Sequence, residues 1–289
     1  MANTENRTTE RFELNLPQMG GFYMKYYYAE ESTCMSARVF PPHIHDCVEL
    51  YVLQEGDVSF AVEGSLYHLD AGDMILTKPN EMHNCILNSD SPHRHFCFWF
   101  RAQDGFLLDA LCRHGYGQGN RLSPAPEEKE RLLSLCLSLY SASREGEPVR
   151  QYALAVMLLS LVRDGLGAPP PAAELPEVLR QILSDMDENF RSVENLSDLA
   201  ERYFISHSTM GRLFRTYLGT SPKLYLETKR LAYSRQLLRE GKSVTEACIA
   251  SGFPDYSNYI RLFRRRFGMT PLYYRNHGEG SDNEQFPRR

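Results

Sequence analysis

An internal repeat near the end of this 289-residue chain constrains its fold more than any other feature. The segment LFRTYLGTSP, Leu213 to Pro222, returns about fifty residues later as LFRRRFGMTP, Leu262 to Pro271. Each copy closes a stretch whose apolar residues recur every three to four positions, and each reaches a glycine where a helix would stop. A pattern used twice at this spacing is one supersecondary unit built twice.

Asn195 to Phe204 followed by Ile205 to Tyr217 predicts a helix, a tight turn and a second helix. Leu196, Leu199 and Ala200 face inward from the first helix. Ser206 caps the second, Met210, Leu213 and Phe214 form its buried stripe, and Gly219 ends it. Val244 to Phe253 leads through Pro254 and Asp255 into Tyr256 to Gly268 with the same grammar. Between the units, Pro222 to Glu240 predicts one continuous helix with Gly241 as its stop, a strut of roughly 28 Å at about 1.5 Å per residue. Such a strut would set the second helices of the two units about one DNA turn apart, roughly 34 Å.

These residues resemble the DNA-binding domain of the AraC/XylS family of bacterial transcription regulators over about Leu179 to Arg275. The resemblance is carried by Ala200, Ser206, Leu213, Phe214, Gly219 and Pro222 in the first unit. In the second it is carried by Glu246, Ala250, Gly252, Phe253, Phe263, Gly268, Pro271, Tyr274 and Arg275. Ala247, Cys248, Ser251 and Ile260 depart from the family pattern at core-compatible positions. The resemblance implies that His207, Ser208, Gly211 and Arg212 point outward from the first recognition helix, Gly211 without a side chain to offer. It implies Tyr256, Ser257, Asn258 and Arg261 as the outward set on the second. Arginine suits a guanine edge and asparagine an adenine edge. Arg264, Arg265 and Arg266 are expected to meet phosphates, supplying affinity rather than sequence choice.

Charge supports that assignment. The chain carries a net charge of -5, but residues 1–162 hold 13 basic and 21 acidic side chains whereas residues 206–277 hold 13 and 4. Only the rear therefore presents a field suited to a polyanion.

The front half reads differently. Val39-Phe40, Val48 to Leu53, Val58 to Val62, Met74 to Leu76 and Phe96 to Phe100 are β-branched and aromatic runs separated by polar, Gly or Pro breaks, the pattern of an all-β barrel or sandwich. From Pro126 the period becomes helical. Leu132, Leu133, Leu135, Cys136, Leu139 and Tyr140 mark one helix; Tyr152, Ala155, Val156, Leu159 and Val162 mark another, joined by SASREGEP. This helical hairpin either covers the barrel or pairs with its twin in a homodimer. Three successive prolines in Gly167 to Pro176 favour a semi-rigid spacer.

Six of nine histidines fall between His43 and His95. On a continuous strand His43, His45 and Glu49 would share one face, and His83 follows a Gly-Asp turn and a proline. The two segments resemble the paired motifs of the cupin fold, H-x-H-x3-E-x6-G and, approximately, G-x6-P-x3-H. In cupin enzymes the residues corresponding to His43, His45, Glu49 and His83 hold a divalent metal; three imidazoles and a carboxylate suit Zn, Fe, Mn or Ni. In AraC-type regulators the same barrel binds a sugar or other small effector without a required cofactor. Tyr51 shares the parity of Glu49 and is a candidate stacking surface for that effector, as are the tyrosines of Gly20 to Ser32. His93 and His95 are expected on the last strand or at the rim.

The reading is thus an α+β chain of two domains. Residues 12–166 form a cupin-like β-barrel with a helical hairpin, 167–176 a linker, 177–277 an all-α domain with two helix-turn-helix units, and 278–289 a disordered tail. The longest apolar stretch, Ala153 to Val162, is about half a membrane span, and no apolar signal core follows the N-terminus. Seven scattered cysteines, never spaced as CxxC, indicate a reducing, cytoplasmic setting. The resemblance implies an effector-controlled, DNA-binding regulator, an activator that recruits RNA polymerase, with no catalytic residues. A metal-dependent cupin enzyme tethered to DNA and an effector-independent regulator are the competing readings.

Overall fold

The computed structural model describes residues 7–17, 21–31, 42–45, 47–79, 81–101, 117–164 and 175–277. The expected strand at Val39-Phe40, the linker from 167 to 174 and the tail 278–289 lie outside the described residues. The chain divides into two compact units, one made of residues up to Val39 and from His45 to Glu174, the other of Phe40–Ile44 and the residues from Leu175 onward.

The front unit is built on two antiparallel sheets. β1 (Arg7–Leu16), β2 (Phe22–Glu31), β8 (His93–Arg101), β3 (Val48–Glu55), β6 (Met74–Thr77) and β9 (Arg121–Leu122) pair in that order. β5 (Ser65–Leu69), β4 (Val58–Val62) and β7 (His83–Leu87) form the smaller sheet. The first strand begins at Arg7, ahead of the boundary expected at residue 12. Two of the longest strands, β1 and β2, pair along ten residues from Arg7↔Glu31 to Leu16↔Phe22.

Period-2 alternation sorts the large sheet into two faces. Met24, Tyr26, Leu50, Val52, Phe96, Phe98 and Phe100 pack in one apolar cluster with Leu132, Cys136, Leu139, Ala155, Leu158, Leu159 and Val162. The last seven come from α1 (Pro126–Glu145) and α2 (Pro148–Asp164). The hairpin therefore covers the sheet, and Tyr26 anchors it by donating to Ser143 Oγ at 2.7 Å. α1 runs on through Ser141 to Glu145, so the joint is shorter than SASREGEP; Gly146, at φ 72°, supplies the left-handed cap. Buried Asp73 ties this frame together, bonding Arg121 at 2.6 Å and Lys129 at 2.8 Å. Burial alone would raise its pKa, but these cations and Ser123 pull it below the usual carboxylate value.

From Glu177 to His277 the regular structure is all helical: α3 (Glu177–Asn189), α4 (Leu196–Arg202), α5 (His207–Leu218), α6 (Pro222–Arg239), α7 (Val244–Ala250), α8 (Tyr256–Phe267) and α9 (Pro271–His277). Local chemistry explains the boundaries. Asn195, Ser206, Ser221, Ser243 and Asp255 each accept a hydrogen bond from a backbone N–H in the first turn they cap. Gly219 and Gly268, at φ 60° and 71°, close the two recognition helices. The second unit packs through Leu231, Leu237, Leu238, Phe253, Tyr259, Leu262 and Phe263. Among the described residues, no helix is long and apolar enough to cross a membrane.

Candidate functional site

Counting each recognition helix from its own N-cap puts the two in register: His207 with Tyr256, Ser208 with Ser257, Thr209 with Asn258, Arg212 with Arg261. His207, Ser208, Arg212, Tyr256, Ser257 and Arg261 are exposed, and Asn258 is half-buried. Arg261 donates to Asn258 Oδ1 at 2.7 Å, which couples these two side chains. Thr209, the counterpart of Asn258, is half-buried as Asn258 is, but sequence reasoning passed over it. Aligning the two N-caps would have found it.

Two outward assignments need correction. Gly211 is buried, because it stands three and seven residues before Phe214 and Leu218, on the face of the helix that they bury. Arg266 is half-buried; loss of hydration, then the Arg235 and Arg265 charges, lower its pKa to about 10. Arg264 and Arg265 stay exposed, as phosphate contacts require.

His43, His45, Glu49 and His83 each offer a ligand atom, and these atoms all lie within 4.8 Å of one another. The route differs from the one expected. β3 begins at Val48, after a bend at Cys47, so His43 and His45 precede the strand that carries Glu49. Chain curvature rather than strand parity assembles the cluster. His45 Nε2 lies 2.9 Å from Glu49 Oε2, and His83 Nε2 lies 3.4 Å from Glu49 Oε1. His83 Nδ1 bonds the Glu81 carbonyl at 2.9 Å, which turns Nε2 toward the carboxylate. Glu81 is itself fixed by the backbone N–H groups of Lys78 and Gly117 and the side-chain amide of Asn120. Trp99, the one tryptophan of the chain, donates its indole N–H to Glu49 Oε2 at 2.6 Å. Burial would raise the Glu49 pKa, but His83 and His45 outweigh it and hold the carboxyl well below its ordinary value. Three imidazoles and one carboxylate, one imidazole oriented through its other nitrogen, make a donor set that fits a borderline divalent metal.

Beyond this cluster, Tyr51 is hydrogen-bonded to His93 Nε2 at 2.7 Å and stacks on His95 with ring centroids 4.8 Å apart. Its buried phenol has its pKa raised well above the usual value and stays protonated. His93 and His95 lie on a strand, β8, which β9 follows in the chain, and both are buried. Tyr27 reaches His95 at 3.1 Å, whereas Tyr26 and Tyr28 face the helices. Alternation along β2 therefore divides the tyrosine cluster between the polar interior and the apolar core.

A model of the AraC-like ligand binding domain matches residues 31–200, and a helix-turn-helix domain model matches residues 199–277. The HTH-type transcriptional activator RhaS of Escherichia fergusonii is 25% identical over 241 residues, 80% of this chain and 86% of that protein. The thermoregulatory protein LcrF of Yersinia pestis is 27% identical over 240 residues, 77% and 86% of the respective chains. The crystal structure of fatty-acid-bound ToxT from Vibrio cholerae aligns over 98% of this chain and 100% of that one, at 12% identity and a TM-score of 0.37.

Proposed function

Since the chain belongs to the AraC family of effector-controlled transcription regulators, we propose that its two recognition helices read neighbouring major-groove segments under control of a small polar molecule held by the front domain. The observation that carries this reading is the matched pair of α5 and α8. Each exposes side chains suited to bases and phosphates at equivalent positions, within a domain whose basic side chains outnumber its acidic ones. His207, Ser208, Arg212, Tyr256, Ser257, Asn258 and Arg261 contact bases or their adjoining phosphates, and Arg264 and Arg265 grip the backbone. Recruitment of RNA polymerase, homodimerisation through the hairpin and a sugar-like effector complete the proposal, in which the chain is not an enzyme. Exposed Leu137, Val149 and Met157 on the hairpin support the dimer. Selection of bound duplexes from a random library, followed by footprinting, tests the reading. Protection of two groove segments on one face of the duplex is expected, and protection of one segment alone would overturn it.

His43, His45, Glu49, Tyr51 and His83 are proposed as the effector-binding set. His43, His45, Glu49 and His83 would hold a divalent metal, which would supply Lewis-acid anchorage for an oxygen-bearing ligand. Tyr51 presents an aromatic face beside them. The indole of Trp99 bonds Glu49 directly, so its emission is a single-site probe. Titration of chelator-treated protein with Zn2+ or Ni2+ should change that emission. His43→Ala/His45→Ala protein should lose the response while binding DNA as before in the absence of effector; an unchanged response would remove the metal from the proposal.

A further inference from the structure

The loop between α3 and α4, residues Phe190 to Val193, lies where three elements of the rear unit meet. From the strut α6, Arg230 reaches it with two hydrogen bonds, Nε to the Phe190 carbonyl at 2.9 Å and a terminal nitrogen to the Val193 carbonyl at 2.6 Å. Tyr233, one turn further along the strut, packs edge-on to Phe190 at 5.6 Å, and the Arg191 guanidinium lies 5.5 Å from the same Tyr233 ring. From the second helix-turn-helix, the turn at Gly252 presses on the backbone of Arg191. A Cβ at that position would sit 2.2 Å from the Arg191 carbonyl oxygen and 2.8 Å from its carbonyl carbon.

Backbone conformation alone does not account for this glycine. Gly252 and Phe204 follow the first helices of their units at equivalent places, and both have positive φ, 78° and 56°. The first turn carries a phenylalanine there. The second could take even an alanine only by displacing the loop of the first unit, which occupies the space. Arg230 is buried to 8% exposure and satisfies carbonyls just past the end of α3, so removing it leaves buried acceptors without those donors.

We propose that the Phe190–Val193 loop is a spacer whose thickness sets the separation and relative rotation of the two recognition helices, with Arg230 and Gly252 as its positioning residues. The strut fixes a length, but a rod still permits rotation about its axis; the loop, clamped by one unit and abutted by the other, removes that freedom. The consequence is a sharp preference for one spacing between the two halves of the DNA site. One inserted base pair turns the second half by about 35° and shifts it by about 3.4 Å.

This inference rests on both helices reading DNA, and the test separates the two claims. Full-length protein is used to select a two-part site, and duplexes are then made with the halves one or two base pairs closer or further apart. Wild-type protein should lose about tenfold in affinity or more for each one-base-pair change. Gly252→Ala should move the optimum or flatten the profile to within about threefold, and Arg230→Met should flatten it, with Arg230→Lys recovering part of the preference. Circular dichroism confirms that each variant is folded, and Arg230→Met carries the test if Gly252→Ala is not. Uniform weakening at every spacing, with the wild-type optimum kept, would show a merely structural role and overturn the inference. Selection of only a single half by wild-type protein would overturn the two-helix reading beneath it.

Discussion

The first and second helix-turn-helix units close their leading helices with the same backbone bonds and then diverge. Phe204 N–H bonds the Glu201 carbonyl and Ile205 N–H that of Ala200; Gly252 and Phe253 repeat this on Ile249 and Cys248. After that shared closure, the first turn reaches its cap at Ser206, whereas the second inserts Pro254 before Asp255. The reading helices differ more. α5 offers Arg212 and Arg215 where α8 carries Arg261, Arg264, Arg265 and Arg266. A common frame thus carries two different faces, and the lesson is that backbone closure and apolar stripe define the unit while the outward positions are free to vary.

The largest expected effect breaks the symmetry of the two faces. Arg261 bonds Asn258, while the hydroxyl of Thr209, the counterpart of Asn258, lies 2.9 Å from Ser206 Oγ. Arg261→Ala and Asn258→Ala should each cost about 1 to 3 kcal/mol at one base position, and the double variant should cost less than their sum. Arg212→Ala and Thr209→Ala should be additive. Competition binding across single-base variants of the selected site measures both cycles, and equal coupling in the two units would show that the faces work alike.

What the sequence disclosed follows the range of the forces involved. Caps at Ser206 and Asp255, stops at Gly219 and Gly268 and the stripe of Met210 and Phe214 are local, and each was legible at residue level. The strands β3, β4, β6 and β8 were legible from their β-branched and aromatic runs between polar, Gly or Pro breaks, but their partners were not. Pairing of β2 with β8 joins Tyr23 to Arg101, across most of the domain, and only that register shows which tyrosines face the histidines. His43, His45, Glu49 and His83 were named from a motif spacing, although the geometry offered for it, one continuous strand, does not form. The Phe190–Val193 loop left no signal, because its role comes from contact with residues about forty and sixty positions away.

A smaller effect tests the corrected placement of Gly211. Its counterpart in the second unit is Ile260, and a Cβ added at Gly211 would meet nothing nearer than an Arg215 terminal nitrogen at 3.8 Å. Glycine inside a helix gives up roughly 0.5 to 1 kcal/mol relative to alanine. Gly211→Ala should therefore stabilise the domain by about that amount in thermal unfolding, without altering base preference. Lost affinity for selected DNA would mean that the helix needs a bare backbone at this point to approach the duplex.

The smallest effect concerns Phe204, whose ring is 98% exposed on a residue with φ of 56°. A side chain in the left-handed region costs roughly 1 to 2 kcal/mol, and full exposure returns no burial to offset it. Glycine relieves that strain but enlarges the freedom of the unfolded chain by roughly 0.5 to 1 kcal/mol. The two terms oppose each other, so Phe204→Gly should stabilise the protein by only about 0.5 kcal/mol. The same substitution makes the first turn match the second at this position, and DNA affinity then decides what the ring is for. Unchanged affinity would mark Phe204 as a tolerated irregularity in a turn that no neighbouring loop crowds. Reduced affinity with raised stability would show an aromatic kept at a cost because it touches the duplex beside the N-terminus of α5, a contact that Gly252 in the second unit has no side chain to make.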